Sequence, residues 1–266
     1  MTETITLGVD AAGFNIGRVI KTTFAVLGRN FLPFALIAIV IGLPYIAIYF
    51  HFGGFAGIRA GADRGQIIAR YVVMMGVSVF THSMTGAALS YGTFQDLSGR
   101  RTSLGGCVAG GFAMLPRVVV AGLIYTLLAI VGLALFVVPG LMFVTMLWVL
   151  VPVIVVEHPG LLASFGRSRT LTRGRRWGIF GLLTLVFVVQ QVVAVVFGAV
   201  VGFAVTVSKG PGLETFVTIQ EWARIAGLVV GLLSVMFFSV MSAVGYYYLR
   251  AEKEGIAIGD IARVFD

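Results

Sequence analysis

The chain has 266 residues, of which 59% are hydrophobic and only 11% are charged, and its mean hydropathy is +1.02. A soluble domain is about one quarter charged, so this composition excludes an ordinary soluble protein. The net charge of +8 is better explained by membrane topology than by binding of nucleic acid, because the cytoplasmic loops of membrane proteins are rich in Lys and Arg. We therefore expect membrane lipids as partners, and no nucleic acid.

Six apolar runs follow one another along the chain, and a run of about 20 residues is enough to span the hydrocarbon core. The predicted spans, within one transmembrane domain of residues 1–266, are 31–50, 71–91, 117–137, 140–156, 178–203 and 225–249. Apolar sequence from Val118 to Val156 is too long for one helix, and Pro139-Gly140 predicts a tight turn that divides it. Unbroken runs favour an all-α polytopic membrane protein over a membrane β-barrel.

The distribution of Lys and Arg between the loops predicts the orientation of the spans. One set of alternate loops and both ends contains Arg18, Lys21, Arg29, Arg100, Arg101, Arg117, Arg167, Arg169, Arg173, Arg175, Arg176, Arg250, Lys253 and Arg263. The other side contains only Arg59, Arg64, Arg70, Lys209 and Arg224. The positive-inside rule places the larger set, and therefore both termini, in the cytoplasm.

A weak internal repeat is also visible. Ile16-Gly17, Phe24, Leu27 and Arg29 recur 88 residues later as Leu104-Gly105, Phe112, Leu115 and Arg117, and a looser copy runs from Leu162-Ala163 to Arg175. Each copy precedes a pair of apolar runs, which predicts a cytoplasmic interfacial helix followed by a transmembrane hairpin, used three times. Chance matching among Gly, Leu and Phe is the alternative explanation.

The loop between the fourth and fifth spans is rich in arginine. It contains Arg167, Arg169, Arg173, Arg175 and Arg176, followed by Trp177. On a helix, Arg169, Arg173 and Arg176 would share one face, and guanidinium groups match the oxygens of phosphate headgroups. These residues are the candidate site for anionic lipid; the alternative is a signal that only sets topology.

His82, near the middle of the second span, is the candidate polar residue inside the membrane. It is either a hydrogen-bonded packing residue or part of a proton path. No Asp or Glu lies inside an apolar run, and the three histidines show no metal-ligand spacing, so no cofactor, metal or catalytic residue is expected. Two GxxxG patterns, Gly198–Gly202 and Gly227–Gly231, are typical of close helix contacts.

Several short stretches together resemble a known family. They are residues 96–101 (DLSGRR), 103–105 (SLG), 138–141 (VPGL) and 157–174, with Trp177 after them. The chain resembles the membrane domain of glycerophosphoryl diester phosphodiesterases and related stand-alone bacterial six-helix membrane proteins. This resemblance implies a multi-pass protein of the cell inner membrane, connected with lipid or envelope biology.

The resulting functional prediction is a non-enzymatic membrane module that interacts with anionic lipids, in lipid handling or envelope homeostasis. In the fused enzymes a separate soluble barrel performs the hydrolysis, so the phosphodiesterase activity is not carried over. The first alternative is a small uncoupled transporter or channel that uses the polar side of the second span. The second is a membrane-embedded lipid enzyme that uses Glu157 and His158. A homo-oligomer is left open.

Overall fold

The computed structural model describes residues 13–52, 63–100, 102–210 and 212–255, and all regular structure within these ranges is helical. The described helices are α1 (Ile16–His51), α2 (Arg64–Leu97), α3 (Leu104–Ala113), α4 (Leu115–Leu135), α5 (Val137–Met146), α6 (Leu150–Glu157), α7 (Leu161–Thr172), α8 (Arg176–Lys209) and α9 (Leu213–Glu254). Six stretches are long and apolar enough to cross a membrane: α1, α2, α4, α5 with α6, α8 and α9. The all-α polytopic membrane fold is therefore confirmed.

The helices follow one pattern three times: a short helix, a break, and a hairpin of long apolar helices. In the first unit, α1 departs from helical geometry at Asn30 (φ −121°, ψ 22°), and α2 completes the hairpin. In the second, Met114 separates α3 from α4, and α5 with α6 forms the returning span. In the third, Arg173 and Gly174 separate α7 from α8, and α9 returns. This order agrees with the unit predicted from the repeat.

The three units also pack in the same way. The returning spans α2, α6 and α9 contact one another in the centre. Each outer helix contacts its own returning span and that of the preceding unit, so that α4 packs on α2, α8 on α5, and α1 on α9. The short helices follow the same cycle, because α3 packs on α2 and α7 on α6. The arrangement is an approximate three-fold cycle around the centre of the bundle.

Burial distinguishes the central helices from the outer ones. Residues 83–90, 152–156 and 240–249 are buried around the whole circumference of α2, α6 and α9 respectively. By contrast, α8 buries only Ile179 and Leu182 among its 34 residues. A helix that is apolar all round and exposed on the outside of a bundle is suited to a covering of lipid.

The fourth span is built differently from the prediction. Pro139-Gly140 does not form the turn; the chain reverses at Phe136, which is extended (φ −154°, ψ 134°), and both residues lie inside α5. Proline is tolerated there because the first turn of a helix does not need its N–H. Gly140 allows close packing instead, since a Cβ at this position would lie 2.6 Å from the backbone nitrogen of Leu133.

This span is also interrupted in its middle, between α5 and α6. The freed carbonyl of Met146 accepts hydrogen bonds from the hydroxyls of Ser168 (2.9 Å) and Thr172 (3.2 Å) on α7. The carbonyl of Trp148 accepts one from Ser242 on α9 (2.7 Å). Broken helices are tolerated within a membrane protein where neighbouring side chains satisfy the freed backbone groups. The break therefore connects the fourth span to the third unit.

The GxxxG glycines make no close contact within the described chain. An added Cβ at Gly198, Gly202, Gly227 or Gly231 would meet no heavy atom within 4 Å. The close helix contacts form at other glycines. Gly245, for example, lies against the ring of Trp148, where a Cβ would come within 2.2 Å of a ring carbon.

Candidate functional site

The arginine-rich loop is not one continuous helix. Helix α7 ends at Thr172, Arg173 is extended (φ −61°, ψ 128°), and Gly174 has a φ of +89°. The expectation that Arg169, Arg173 and Arg176 share a helix face is therefore wrong. A positive φ is a backbone conformation that glycine adopts readily, and here it turns the chain before α8 begins.

Arg167 belongs to a network of ion pairs at the terminal end of the bundle, the end where α1 begins and where α2, α6 and α9 end. Its Nε donates to Glu157 Oε2 over 2.7 Å, and its Nη2 donates to Glu254. Tyr246 donates to the other oxygen of Glu157 (2.8 Å), and Arg250 Nε donates to Glu254 (2.9 Å). The hydrogen bond from Arg167 to Glu157 raises the pKa of the guanidinium, against the opposing effect of burial.

Arg175 is also paired within the protein. Its Nε donates to Glu252 Oε1 over 2.7 Å, while the other carboxylate oxygen accepts from the backbone N–H of Phe14 (2.6 Å). Arg29 makes the equivalent contact in the first unit, with Asp96 at the end of α2 (2.5 and 3.2 Å). In the first and third units, an arginine at or before the start of the hairpin therefore pairs with a carboxylate at the end of the same hairpin.

Among the remaining basic residues of the loop, Arg169 and Arg173 are free for an external partner. The side chains of Arg169 and Arg173 are exposed, and no hydrogen bond or ion pair to another described residue involves them. Arg176 is partly buried, and its Nε has no partner among the described groups. Trp177 is 86% exposed. An indole with an exposed ring beside unpaired guanidinium groups is the combination expected at a membrane interface.

His82 lines an open cavity of about 930 Å³ between the helices of all three units. The residue is exposed, although its neighbours Thr81 and Ser83 are buried. The lining residues nearest the terminal end are Ala38 on α1, Ser90 on α2 and Ser242 on α9, so the cavity occupies the part of the bundle away from that end. The polar lining from α2 is Ser78, Thr81, His82, Ser83, Thr85 and Ser90.

Several buried polar atoms in the cavity wall have no hydrogen-bond partner among the described residues. They are Thr81 Oγ1, Thr85 Oγ1, Ser90 Oγ and Trp148 Nε1. An unpaired buried polar group costs roughly 1–3 kcal/mol, so native proteins contain few of them. Four of the seven such atoms among the described residues therefore belong to side chains around one cavity.

Glu157 and His158, the pair considered for an enzyme, have different surroundings. Both oxygens of Glu157 accept hydrogen bonds, from Arg167 and Tyr246. His158 is the C-cap of α6 and has left-handed backbone geometry (φ 50°, ψ 32°). Glu157 therefore belongs to the network at the terminal end. To act as an acid or base it would have to break its hydrogen bonds to Arg167 and Tyr246.

No protein family, curated protein or solved structure matches this chain. The resemblance to the membrane domain of glycerophosphoryl diester phosphodiesterases is untested by these comparisons and stays a prediction.

The sequence did not lead us to the acidic and aromatic partners of the network. Tyr246, Arg250 and Glu254 lie on one face of α9 at intervals of four residues. That spacing was a usable signal, because a helix face with Tyr, Arg and Glu beside an apolar span indicates a polar cluster at the membrane boundary. The cavity had only a partial signal, the polar side chains of α2.

Proposed function

We propose that the chain is a non-enzymatic membrane module that binds anionic lipid at its terminal end, in lipid handling or envelope homeostasis. The observation that carries this proposal is the pair of exposed, unpaired guanidinium groups of Arg169 and Arg173, close to exposed Trp177. The other arginines support the same division of roles. Arg167 and Arg175 hold the structure, while Arg169 and Arg173 are available to phosphate.

The test compares lipid retained after extraction in mild detergent, measured by mass spectrometry. Each basic residue near an anionic surface contributes about 1 kcal/mol, so the double variant Arg169→Gln/Arg173→Gln should retain roughly 30-fold less anionic lipid. The variant Arg169→Lys/Arg173→Lys should retain an intermediate amount, because Lys lacks the planar fork. The control, Arg64→Gln/Lys209→Gln, removes two charges where α2 begins and α8 ends.

Equal retention by the arginine and lysine forms, with unchanged orientation, would reduce the loop to a topology signal. Loss of lipid in the Arg64→Gln/Lys209→Gln control would show that total charge, rather than the loop, determines retention.

We further propose that the protein lies in the bacterial inner membrane with both termini in the cytoplasm. In cells, an impermeant maleimide should label Glu214→Cys without permeabilisation and Arg173→Cys only after it. The natural Cys107 should not interfere, because it is buried and burial raises the pKa of its thiol to about 11. Labelling of Arg173→Cys in intact cells would reverse the proposed orientation.

A small uncoupled transporter or channel is the second candidate. The observation that favours it is the open cavity beside His82, which has contributions from all three units. In liposomes, solute flux that His82→Leu abolishes, with an unchanged lipid profile, would favour transport over lipid binding.

A further inference from the structure

We propose that the cavity beside His82 is a binding site for an uncharged, single-chain amphiphile with hydroxyl groups at its polar end. This site is separate from the arginine-rich loop, and it would hold the body of its ligand inside the bundle rather than on the surface. The proposal depends on the size of the cavity, the chemistry of its wall and the position of its closed end.

The cavity has the size and the apolar wall of a ligand site. Its volume of about 930 Å³ falls within the range of roughly 300–1,000 Å³ that is typical of small-molecule pockets. Much of the wall is aliphatic or aromatic, with contributions such as Leu183 from α8, Leu228 and Phe238 from α9, and Tyr45 from α1. A wall of this kind suits an acyl chain.

The polar part of the wall is neutral. It contains hydroxyl, amide, indole and imidazole groups, and none of the described residues that line it is Lys, Arg, Asp or Glu. A charged headgroup would therefore lose its hydration without gaining an ion pair, which is costly in a low-dielectric site. Hydroxyl groups of a ligand can instead donate to and accept from the neutral polar groups of the wall, of which the imidazole of His82 is exposed.

The packing determines which end of the cavity is closed. Beyond Ser242, the α9 residues up to Leu249 are all buried, and Gly245 lies against the ring of Trp148. Further along, the network around Glu157 and Arg167 joins α6, α7 and α9. The closed end blocks passage toward the terminal end, so the chain of a ligand would extend toward the open side, and its polar head would lie beside His82.

The experiment uses the full chain in nanodiscs of phosphatidylcholine. The first probe is a monoacylglycerol whose acyl chain carries a photoreactive diazirine, and the second is the lysophosphatidic acid with the same chain. After illumination, peptide mass spectrometry locates the cross-links. We expect saturable labelling of α2 and α9 residues in the cavity wall by the monoacylglycerol. Labelling by the anionic probe should be at least about fivefold weaker, since the wall offers no cation to a buried phosphate.

A filling variant and a matched control test the location. Gly231 lines the cavity and has open space around a new Cβ, so Gly231→Leu should fill the site without a clash and abolish the saturable labelling. Gly202 has the same open surroundings but does not line the cavity, so Gly202→Leu should leave labelling unchanged. If Gly231→Leu fails to fold, Gly227→Leu is the second filling variant, since it meets the same two conditions.

His82→Leu provides a readout that a purely structural role would not give. The imidazole is exposed and lines the cavity, and it makes no hydrogen bond to another described residue, so the stability of the unliganded protein to heat should change little. Labelling by the monoacylglycerol should nevertheless fall about fivefold, the value of one hydrogen bond. Equal labelling by the two probes, or labelling that survives Gly231→Leu and Gly227→Leu, would overturn the proposal. So would stronger labelling of the cavity by the anionic probe.

Discussion

Replacing Arg167 by glutamine is expected to destabilise the protein by about 2 kcal/mol, because it removes charge-assisted hydrogen bonds to two partly buried carboxylates and leaves them only Arg250 as a cation. The side chains of Arg167, Glu157 and Glu254 are only 27%, 17% and 25% exposed. Arg167 also joins α6 to α9 through α7, so its loss should loosen the terminal end as a whole. The measurement is reversible unfolding in mixed detergent micelles, followed by circular dichroism.

Two further variants make this expectation specific. Arg167→Lys should restore only part of the stability, since one ammonium group cannot reproduce two forked contacts. Arg175→Gln removes the other paired arginine of the loop, whose side chain is 46% exposed and whose partner Glu252 keeps the N–H of Phe14, and it should cost no more than about 1 kcal/mol. Similar losses in Arg175→Gln and Arg167→Gln would contradict the central role given to the Glu157 network.

Gly140→Ala should be the other strongly destabilising change, at about 3 kcal/mol, the upper part of the usual range for overpacking. The new Cβ would lie 2.6 Å from the backbone nitrogen of Leu133, and a backbone atom cannot move aside as a side chain can. The hairpin of α4 and α5 would have to open. Thermal unfolding in detergent measures the loss, and cysteine cross-linking between the two helices would report the opening.

The matched control is Gly198→Ala in α8, where an added Cβ meets no atom within 4 Å. Alanine favours a helix over glycine by nearly 1 kcal/mol, so this variant should be neutral or slightly stabilised. A large loss in Gly198→Ala, with little effect in Gly140→Ala, would mean that the GxxxG glycines make a contact that this arrangement of helices lacks.

The sequence was a good guide to the number and type of the spans. Long apolar runs can be satisfied in a membrane only by helices or closed barrels, and unbroken runs exclude the barrel pattern. The helix ends were less predictable, because a helix can extend beyond its apolar run into polar residues while its backbone N–H and C=O groups remain hydrogen-bonded. Thus α9 has 42 residues, although the apolar run assigned to it covers only 225–249.

The errors at Pro139-Gly140 and in the arginine-rich loop have a common cause. Both signals are ambiguous when only the sequence is known. A proline can lie in the first turn of a helix as well as in the loop before it, and a glycine can end a helix that the spacing of side chains would continue. The partners of Arg167 were beyond reach for another reason. Glu254 lies 87 residues away, so only the packing of α7 against α9 shows that the two side chains meet.

The cyclic packing of the three units has a consequence for how such a chain can arise and act. Each unit contains two spans, so copying a unit leaves the direction of every other span unchanged. The units are then related about an axis along the membrane normal, unlike inverted repeats, whose axis lies in the membrane plane. Exchanging the conformations of parallel units only permutes them around that axis and leaves the open side of a cavity unchanged. Opening this bundle to the other side would therefore require a conformational change that does not consist of units exchanging their conformations.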